Sequence, residues 1–365
     1  CSEPRLWSKE NALEFLIEYG MFLARVVTVV IAIVIVIGVI TSSGQKQKKA
    51  GKEGAVKVTR INDHIDELRD ALRLSILDKD ELKALHKEEK KAAKAEIKEK
   101  KEAEKNDKES ESLAKKRVFV LNFKGNIAAD AVSSLREEIT AILSLGTIND
   151  EVILRLESPG GMVHAYGLAS SQLLRIKNQK IPLTICVDKV AASGGYMMAC
   201  LADRLIAAPF AIIGSIGVLV QLPNFHRVLK KYEVDYEIIS AGEYKRTLTN
   251  FGEITSKARD KVKEDVENIH DIFKNWVKEY RPIIEIDKIA TGETWVGSQA
   301  KERYMVDELK TSDEYIVEAC VDADVFEVEY EFKKSIQEKF SNMLEEGVAK
   351  LFSRWANKPN NDIYQ

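Results

Sequence analysis

The chain offers little material for metal or disulfide chemistry. Its 365 residues include four cysteines, Cys1, Cys186, Cys200 and Cys320, with no CxxC spacing. Cys186 and Cys200 lie in apolar runs, so buried thiols are expected rather than a disulfide framework or a zinc site. The five histidines are scattered along the chain, and no cluster suited to a metal is evident. An excess of either charge is also missing. The 55 Lys and Arg residues face 58 Asp and Glu, a net charge of −3, which gives no electrostatic basis for a nucleic-acid partner. What remains is a chain with 45% hydrophobic and 31% charged residues, long enough for one large domain with appendages.

One uncharged stretch is long. In MFLARVVTVVIAIVIVIGVITSS no charge occurs from Val26 to Ile40. About 20 residues rising ~1.5 Å each cross a ~30 Å hydrocarbon layer, with Arg25 snorkelling toward one interface. No small-residue cleavage site follows, which favours a membrane anchor over a cleaved leader. Lys46, Lys48, Lys49 and Lys52 follow the run while Arg5, Lys9 and Arg25 precede or flank it, so charge counting places the remainder in the cytoplasm. Beyond it, INDHIDELRDALRLSIL carries Ile65, Leu68, Leu72 and Ile76 at helical spacing. KEEKKAAKAEIKEKKEAEKNDKESES then alternates charge sign, with pairs such as Glu96 and Lys100 supporting a solvated helix.

At Arg117 the composition changes. RVFVLNF, DEVILRLE and KIPLTICVDKV read as strands, and AADAVSSLREEITAILSLG and MVHAYGLASSQLLRIKNQ as the helices between them. SGGYMMACLADRLIAA reads as a further helix. Such alternation predicts a parallel α/β core. The apolar run from Tyr196 to Leu222 is interrupted by Asp203, Arg204 and Pro209, which fits a buried helix followed by a core strand rather than a second span. The expected organisation is an N-terminal segment (1–20), a transmembrane helix (21–42), a charged, largely helical linker (43–116), the α/β domain (117–325), and an amphipathic C-terminal helix and tail (326–365). In that tail Ile336, Phe340, Leu344, Leu351 and Trp355 recur at helical spacing. It is suited to a partner subunit, a membrane surface or its own domain.

Ligands in such folds gather where strands end and helices begin. Two glycine turns fall there: LESPGG, residues 156–161, and ASGGY, residues 192–196. Unpaired backbone N–H groups at such turns can hold an oxyanion, and Ser193 would stand beside them. A nucleophile, donors for developing charge and a base are what acyl transfer requires. Serine is equally a common helix cap, so the motif alone does not decide. For the base, His164 follows the first turn and Lys189 precedes the serine. Lys245 sits among Tyr244, Leu248 and Phe251. A lysine acts as a base only when neutral, and apolar burial favours that form.

The stretches RLESPGGMVHAYGLA, VDKVAASGGYMMAC, APFAIIGSIGVL, AGEYKRTLTNFGE and ATGETWVGSQAKERYMVDE resemble the signal peptide peptidase A family. Within it they resemble the SohB branch, inner-membrane peptidases of Gram-negative bacteria. The likeness runs from about Leu13 to beyond Asp307. It implies a Clp protease/crotonase-like α/β domain that is a serine endopeptidase using a Ser-Lys dyad and an acyl-enzyme, without cofactor or metal. By the same resemblance Ser193 is the nucleophile, Lys245 the general base and Ser215 the support of the lysine. Gly160, Gly161 and Gly194 form the oxyanion hole. The implied substrates are peptides in or near the bacterial inner membrane, signal-peptide remnants or misfolded proteins among them. The implied assembly is a homo-oligomer with active sites shared between subunits, and the bilayer contact is residues 21–42. The family's better-known members work on the periplasmic side, opposite to the charge count. A catalytically silent membrane scaffold of the same fold, and a crotonase-type acyl-thioester enzyme, are the competing functions. Retention of every candidate catalytic residue disfavours the first, and the anchor disfavours the second.

Overall fold

The computed structural model describes residues 17–31, 54–85, 87–88, 91, 94 and 115–332. The chain divides into two units, Cys1–Gly54 with Phe332–Gln365, and Ala55–Glu331. In the first unit, residues 17–31 form helix α1 with every residue exposed. Among the described residues no helix is long and apolar enough to cross a membrane. Helix α1 rises about 22 Å against a ~30 Å hydrocarbon layer. Residues 32–42 of the expected span, most of the charged stretch after 85 and the tail from 333 lie outside the described residues.

The second unit opens with strand β1 (Gly54–Arg60) and helices α2 (Ile61–Ile76) and α3 (residues 79–85). Strands and helices then alternate through β2 (Lys116–Lys124), α4 (Val132–Leu145), β3 (Glu151–Glu157), α5 (Val163–Asn178) and β4 (Leu183–Val187). Next come β5 (Val190–Ala192), α6 (Gly194–Ala199), β6 (Arg204–Ala207), β7 (Ile212–Gly214), α7 (His226–Lys231) and α8 (Ser256–Tyr280). The remainder is α9 (Ile286–Ile289), β8 (Thr294–Val296), α10 (Gly297–Glu302), β9 (Glu308–Leu309), α11 (Ser312–Asp322) and β10 (Ala323–Phe332). The main sheet has the order β1-β10-β2-β3-β4-β6-β9, parallel from β10 to β9. A smaller sheet, β5-β7-β8, pairs β5 with β7 in parallel and β7 with β8 antiparallel.

A parallel sheet needs cover on both faces, so its strands are apolar on both sides. Phe119, Leu121, Leu154 and Ile185 share one core with Leu135 and Ile139 of α4 and Leu173 of α5. Val118, Val120, Ile153, Cys186 and Val325 form the opposite core with Ile316 of α11, and Ile61 of α2 packs against it. Helix α4 turns Val132, Leu135, Ile139 and Ile142 inward at the spacing of one helical face. Cys186 and Cys200 are buried as expected, and desolvation pushes each thiol up to about 12.

Three boundaries differ from those expected. Residues 54–76 belong to the sheet domain rather than to a linker reaching 116. The Asn62 amide donates to Cys320 O (3.1 Å) and Ala323 O (3.0 Å), its Oδ1 accepts the Val325 N–H (2.8 Å), and Arg60 pairs with Asp324 (2.7 Å). The helix expected through Ala208 stops at Ala199, and Arg204–Ala207 becomes strand β6 beside β4. A segment apolar on every side carries no period to separate helix from strand. Strand β10 occupies residues 323–332, so no helix begins at 326.

Glu138 lies on the buried face of α4, 5% exposed. Its Oε1 accepts the Tyr330 N–H at 2.9 Å, and its Oε2 is buried without a partner. Burial pushes its pKa from 4.5 up to about 7, with the neighbouring Glu329 charge adding to the effect. Between those values the folded state holds a proton that the unfolded state has released, so stability falls as pH rises through the window. Above pH 7 the loss is roughly 3 kcal/mol. Glu138→Gln keeps an acceptor for the Tyr330 N–H. It is expected to raise the unfolding midpoint at pH 8 and to match the wild type at pH 5. Thermal melts at the two pH values check this, and equal shifts at both would rule it out.

Candidate active site

Strand β5 ends at Ala192 and α6 begins at Gly194, so Ser193 occupies the turn between them. Its backbone has φ +52° and ψ −118°, outside the usual regions for a residue with a side chain. Two hydrogen bonds hold it there. Ser193 N–H donates to Gly214 O (2.8 Å), and Ser193 O accepts the Met197 N–H (3.0 Å). A strained strand-to-helix turn of this kind projects its side chain outward, the device that α/β-hydrolases use for a nucleophile.

The turn after β3 packs directly on Ser193. A Cβ built on Gly160, whose φ is +90°, would lie 2.7 Å from Ser193 Cβ and 2.8 Å from Gly194 N. A Cβ on Gly194 would lie 2.4 Å from Cγ of Tyr166. Glycine is required at both because the backbones approach too closely for any side chain. The donors are not equivalent. Gly160 N–H already donates to Ser158 Oγ at 3.1 Å, so it is not the free oxyanion donor expected from the sequence. Gly161 and Gly194 N–H have no acceptor among the described residues.

Ser215 stands beside Ser193. In the parallel pair β5–β7, Ala192 is opposite Gly214, so the two serines occupy equivalent positions one residue beyond. Ser215 also has positive φ, +53°, and its N–H donates to Glu293 O at 2.6 Å. Helix α8 braces both turns. Trp276 Nε1 donates to Met197 O (3.0 Å), and His270 Nε2 donates to Ile216 O (3.2 Å). Its own start is capped by Thr255 Oγ1, which accepts the Ala258 N–H.

No hydrogen bond or ion pair links Lys245 to Ser193 or Ser215 among the described residues. The lysine is exposed, on the loop between α7 and α8, and its Nζ has no hydrogen bond to a described residue. The apolar enclosure expected around it is not formed. Tyr244 and Phe251 are themselves exposed, although Phe251 stacks on Phe225 at 6.0 Å. His164 is exposed in the first turn of α5 with no hydrogen-bond partner for its ring among the described residues. Lys189 pairs with Glu157 at 3.1 Å. No group of three His, Cys, Asp or Glu side chains able to hold a metal occurs among the described residues.

Two residues beneath the site escaped the sequence reading, Ser158 and Tyr166. Ser158 Oγ lies 2.5 Å from Tyr166 Oη, and Tyr166 O–H donates to Asn126 O at 2.9 Å. Burial pushes the Tyr166 hydroxyl above its ordinary range, so it keeps its proton. Ser158 lies within the SPGG turn, but nothing in the sequence pairs it with Tyr166.

The glycine contacts give a direct test. Gly160→Ala and Gly194→Ala are each expected to cost about 1–3 kcal/mol through overpacking and backbone strain. Gly167→Ala, on α5 with nothing within 4 Å of the new Cβ, is expected to be neutral or stabilising by up to ~1 kcal/mol. Denaturant unfolding of the three variants checks this, and a Gly194→Ala protein as stable as the wild type would contradict the packing.

Residues 14–173 match the family model for the peptidase family S49 N-terminal region, and residues 175–326 match that for peptidase family S49. A Haemophilus influenzae protein named "Probable protease SohB" is 46% identical over 350 residues, covering 96% of this chain and 99% of that protein. A protein of the same name from Buchnera aphidicola subsp. Acyrthosiphon pisum is 41% identical over 345 residues, covering 93% and 98%. "Protease 4" of Haemophilus influenzae is 29% identical over 211 residues, 56% of this chain and 34% of that protein. With a glycine-lined serine turn at the strand ends and likeness along nearly its whole length, the chain belongs to peptidase family S49, as a peptidase of the SppA/SohB type.

Proposed function

We propose that the chain is a membrane-anchored serine endopeptidase in which Ser193 is the nucleophile and Lys245 the general base. The observation that carries this is the strained turn at Ser193, with Ser215 in register beside it and two free backbone N–H groups on either side. Ser193 Oγ attacks the carbonyl carbon of the scissile peptide while the neutral Lys245 amine takes its proton. Gly161 and Gly194 N–H hold the oxyanion of the tetrahedral intermediate. The intermediate collapses, the C–N bond breaks, and the Lys245 ammonium returns the proton to the leaving amine. Water then attacks the acyl-serine ester with Lys245 again as base, releasing the acid and restoring Ser193. Ser215 hydrogen-bonds and orients the lysine amine.

Lys245 must be desolvated to serve, and one chain leaves it exposed. We assign that step to a homo-oligomer in which a neighbouring copy covers the loop. The segment leading to the loop supports the assignment, since Leu219 is 79% and Ile239 90% exposed and Val220, Tyr232 and Tyr236 are exposed as well. Contiguous exposed apolar surface marks interaction sites. Residues 21–42 anchor the assembly in a bacterial inner membrane, where peptides within or near the bilayer, signal-peptide remnants or misfolded proteins among them, are the substrates. The exposure of Lys245 in a single chain also fits the silent scaffold, and activity decides between them.

The test uses purified full-length protein in detergent and a quenched-fluorescence peptide rich in apolar residues. Ser193→Ala and Lys245→Ala are each expected to lose at least about 10³-fold in kcat, by analogy with other nucleophile–base pairs. His164→Ala is expected to stay within about twofold, as removal of a group outside the reacting set should. Circular dichroism confirms that all variants fold. A wild type that cleaves nothing across a broad peptide set would leave the scaffold standing. An active Lys245→Ala would hand the base to another residue.

A further inference from the structure

Beneath the turn that carries Gly161 runs a line of buried hydroxyl groups with no part in bond making. Ser158, fully buried, follows the last residue of β3; Tyr166, equally buried, lies on α5. The sense of the hydrogen bonds between them is determined. Tyr166 has one hydroxyl proton, and it is donated to Asn126 O at 2.9 Å. The proton in the 2.5 Å contact between Ser158 Oγ and Tyr166 Oη therefore belongs to Ser158. Ser158 Oγ thus presents only lone pairs to Gly160 N–H, which donates to it at 3.1 Å. The relay runs one way, from the Gly160 amide through Ser158 and Tyr166 to the Asn126 carbonyl.

This fixes the peptide plane before Gly160, with its N–H turned inward and the next amide, Gly161 N–H, left without an acceptor. The other half of the site meets the same tyrosine. Gly194, whose N–H is the second free donor, lies so close to the Tyr166 ring that any Cβ would stand 2.4 Å from its Cγ. The hydroxyl of Tyr166 holds one donor-bearing turn through Ser158, and its ring supports the other from below. Gly125 packs against the same pair, since a Cβ there would fall 2.4 Å from Tyr166 Oη and 2.6 Å from Ser158 Oγ.

We propose that Ser158 and Tyr166 are positioning residues that set the spacing of the two oxyanion donors, Gly161 N–H and Gly194 N–H. They act on the transition state and not on substrate binding. The proposal rests on the reading of Ser193 as the nucleophile. Donors that are strong only when aimed at the oxyanion lose effect when their backbone shifts, so the loss appears in kcat and leaves KM in place.

The test compares wild type, Tyr166→Phe, Ser158→Ala and the double variant as full-length proteins in detergent, with the quenched-fluorescence peptide. Active sites are counted by complete reaction with a fluorophosphonate, and rates are expressed per titrated site, so that a smaller folded fraction does not register. Each single variant is expected to lose about tenfold or more in kcat, with KM within about twofold of wild type, as misaimed donors predict. A peptide boronate, which mimics the tetrahedral oxyanion, is expected to weaken in parallel with kcat. The double variant is expected to be no worse than the poorer single, because both changes break one relay. Wild-type kcat per site in both single variants overturns the proposal, as does a raised KM with unchanged kcat. If Tyr166→Phe does not fold, Ser158→Ala, which leaves the ring under Gly194, carries the same expectations. Failure of the underlying reading has a different signature: hydrolysis in the wild type that Ser193→Ala does not abolish, or no hydrolysis at all, and either outcome overturns the proposal together with it.

Discussion

The hydrogen bond from Ser193 N–H to Gly214 O, 2.8 Å long, holds a backbone conformation that a non-glycine residue adopts at a cost on the order of 1–3 kcal/mol. Such a conformation persists only where the surroundings leave no alternative. Here they come from four directions. Strand β5 delivers the chain, α6 accepts it within one residue, Gly160 closes against Ser193 Cβ, and β7 supplies the carbonyl. Each of these elements rests on the larger sheet. Ser158 N–H donates to Val190 O and Ala192 N–H to Ser158 O, which ties the end of β3 to β5. The apolar investment in β2, β3 and β4 thus ends in the rigidity of one turn. This also explains why both serines of the site have positive φ, since each is the first residue past the end of a strand in the same small sheet.

Much of this was legible in the sequence, and the reasons are physical. Strands β2, β3 and β4 show as β-branched runs because the parallel sheet buries both their faces, and α4 and α5 show as apolar residues at helical spacing because each buries one. The glycine turns were legible because close backbone approach excludes every other residue at Gly160 and Gly194. Strand β1 was not. GAVKVTR alternates, but it is short and lies in a lysine-rich region that looks solvated, and only its place beside β10 gives Val56 and Val58 a face to occupy. The extent of α6 was not legible because an unbroken apolar run has no period. Glu138 was hidden for the opposite reason, as a carboxylate in a helix reads as solvent-facing until the sheet places it inside.

The division of labour within the candidate site follows the same line. What short-range geometry can build, one chain builds: the strained serine, its neighbouring serine in register, and glycine turns packed on buried hydroxyls. Ser193, Ser215, Gly160, Gly161 and Gly194 come together because they sit at adjacent strand ends, and motif spacing reports such positions well. Ser158 and Tyr166 meet through a crossover that no local spacing encodes, so chemistry-based reading of the turn alone passes over them.

Lys245 belongs to the other part of the problem. A lysine base needs removal from water, and in the segment that bears it Phe225, Tyr236 and Phe251 pack on one another and Asn224 ties Thr249 to Gly252, while Ile239, Tyr244 and Lys245 itself stay exposed. Exposed apolar side chains cost free energy of roughly 25 cal/mol per Å² relative to burial, so covering this surface and desolvating the lysine are favoured by the same event. On the proposed reading, association of copies supplies what the single chain lacks, and the base becomes competent only where the interface forms. A peptidase at a membrane rich in potential substrates would then be inactive as a lone subunit for a structural reason: its nucleophile is preformed, and its proton acceptor is not.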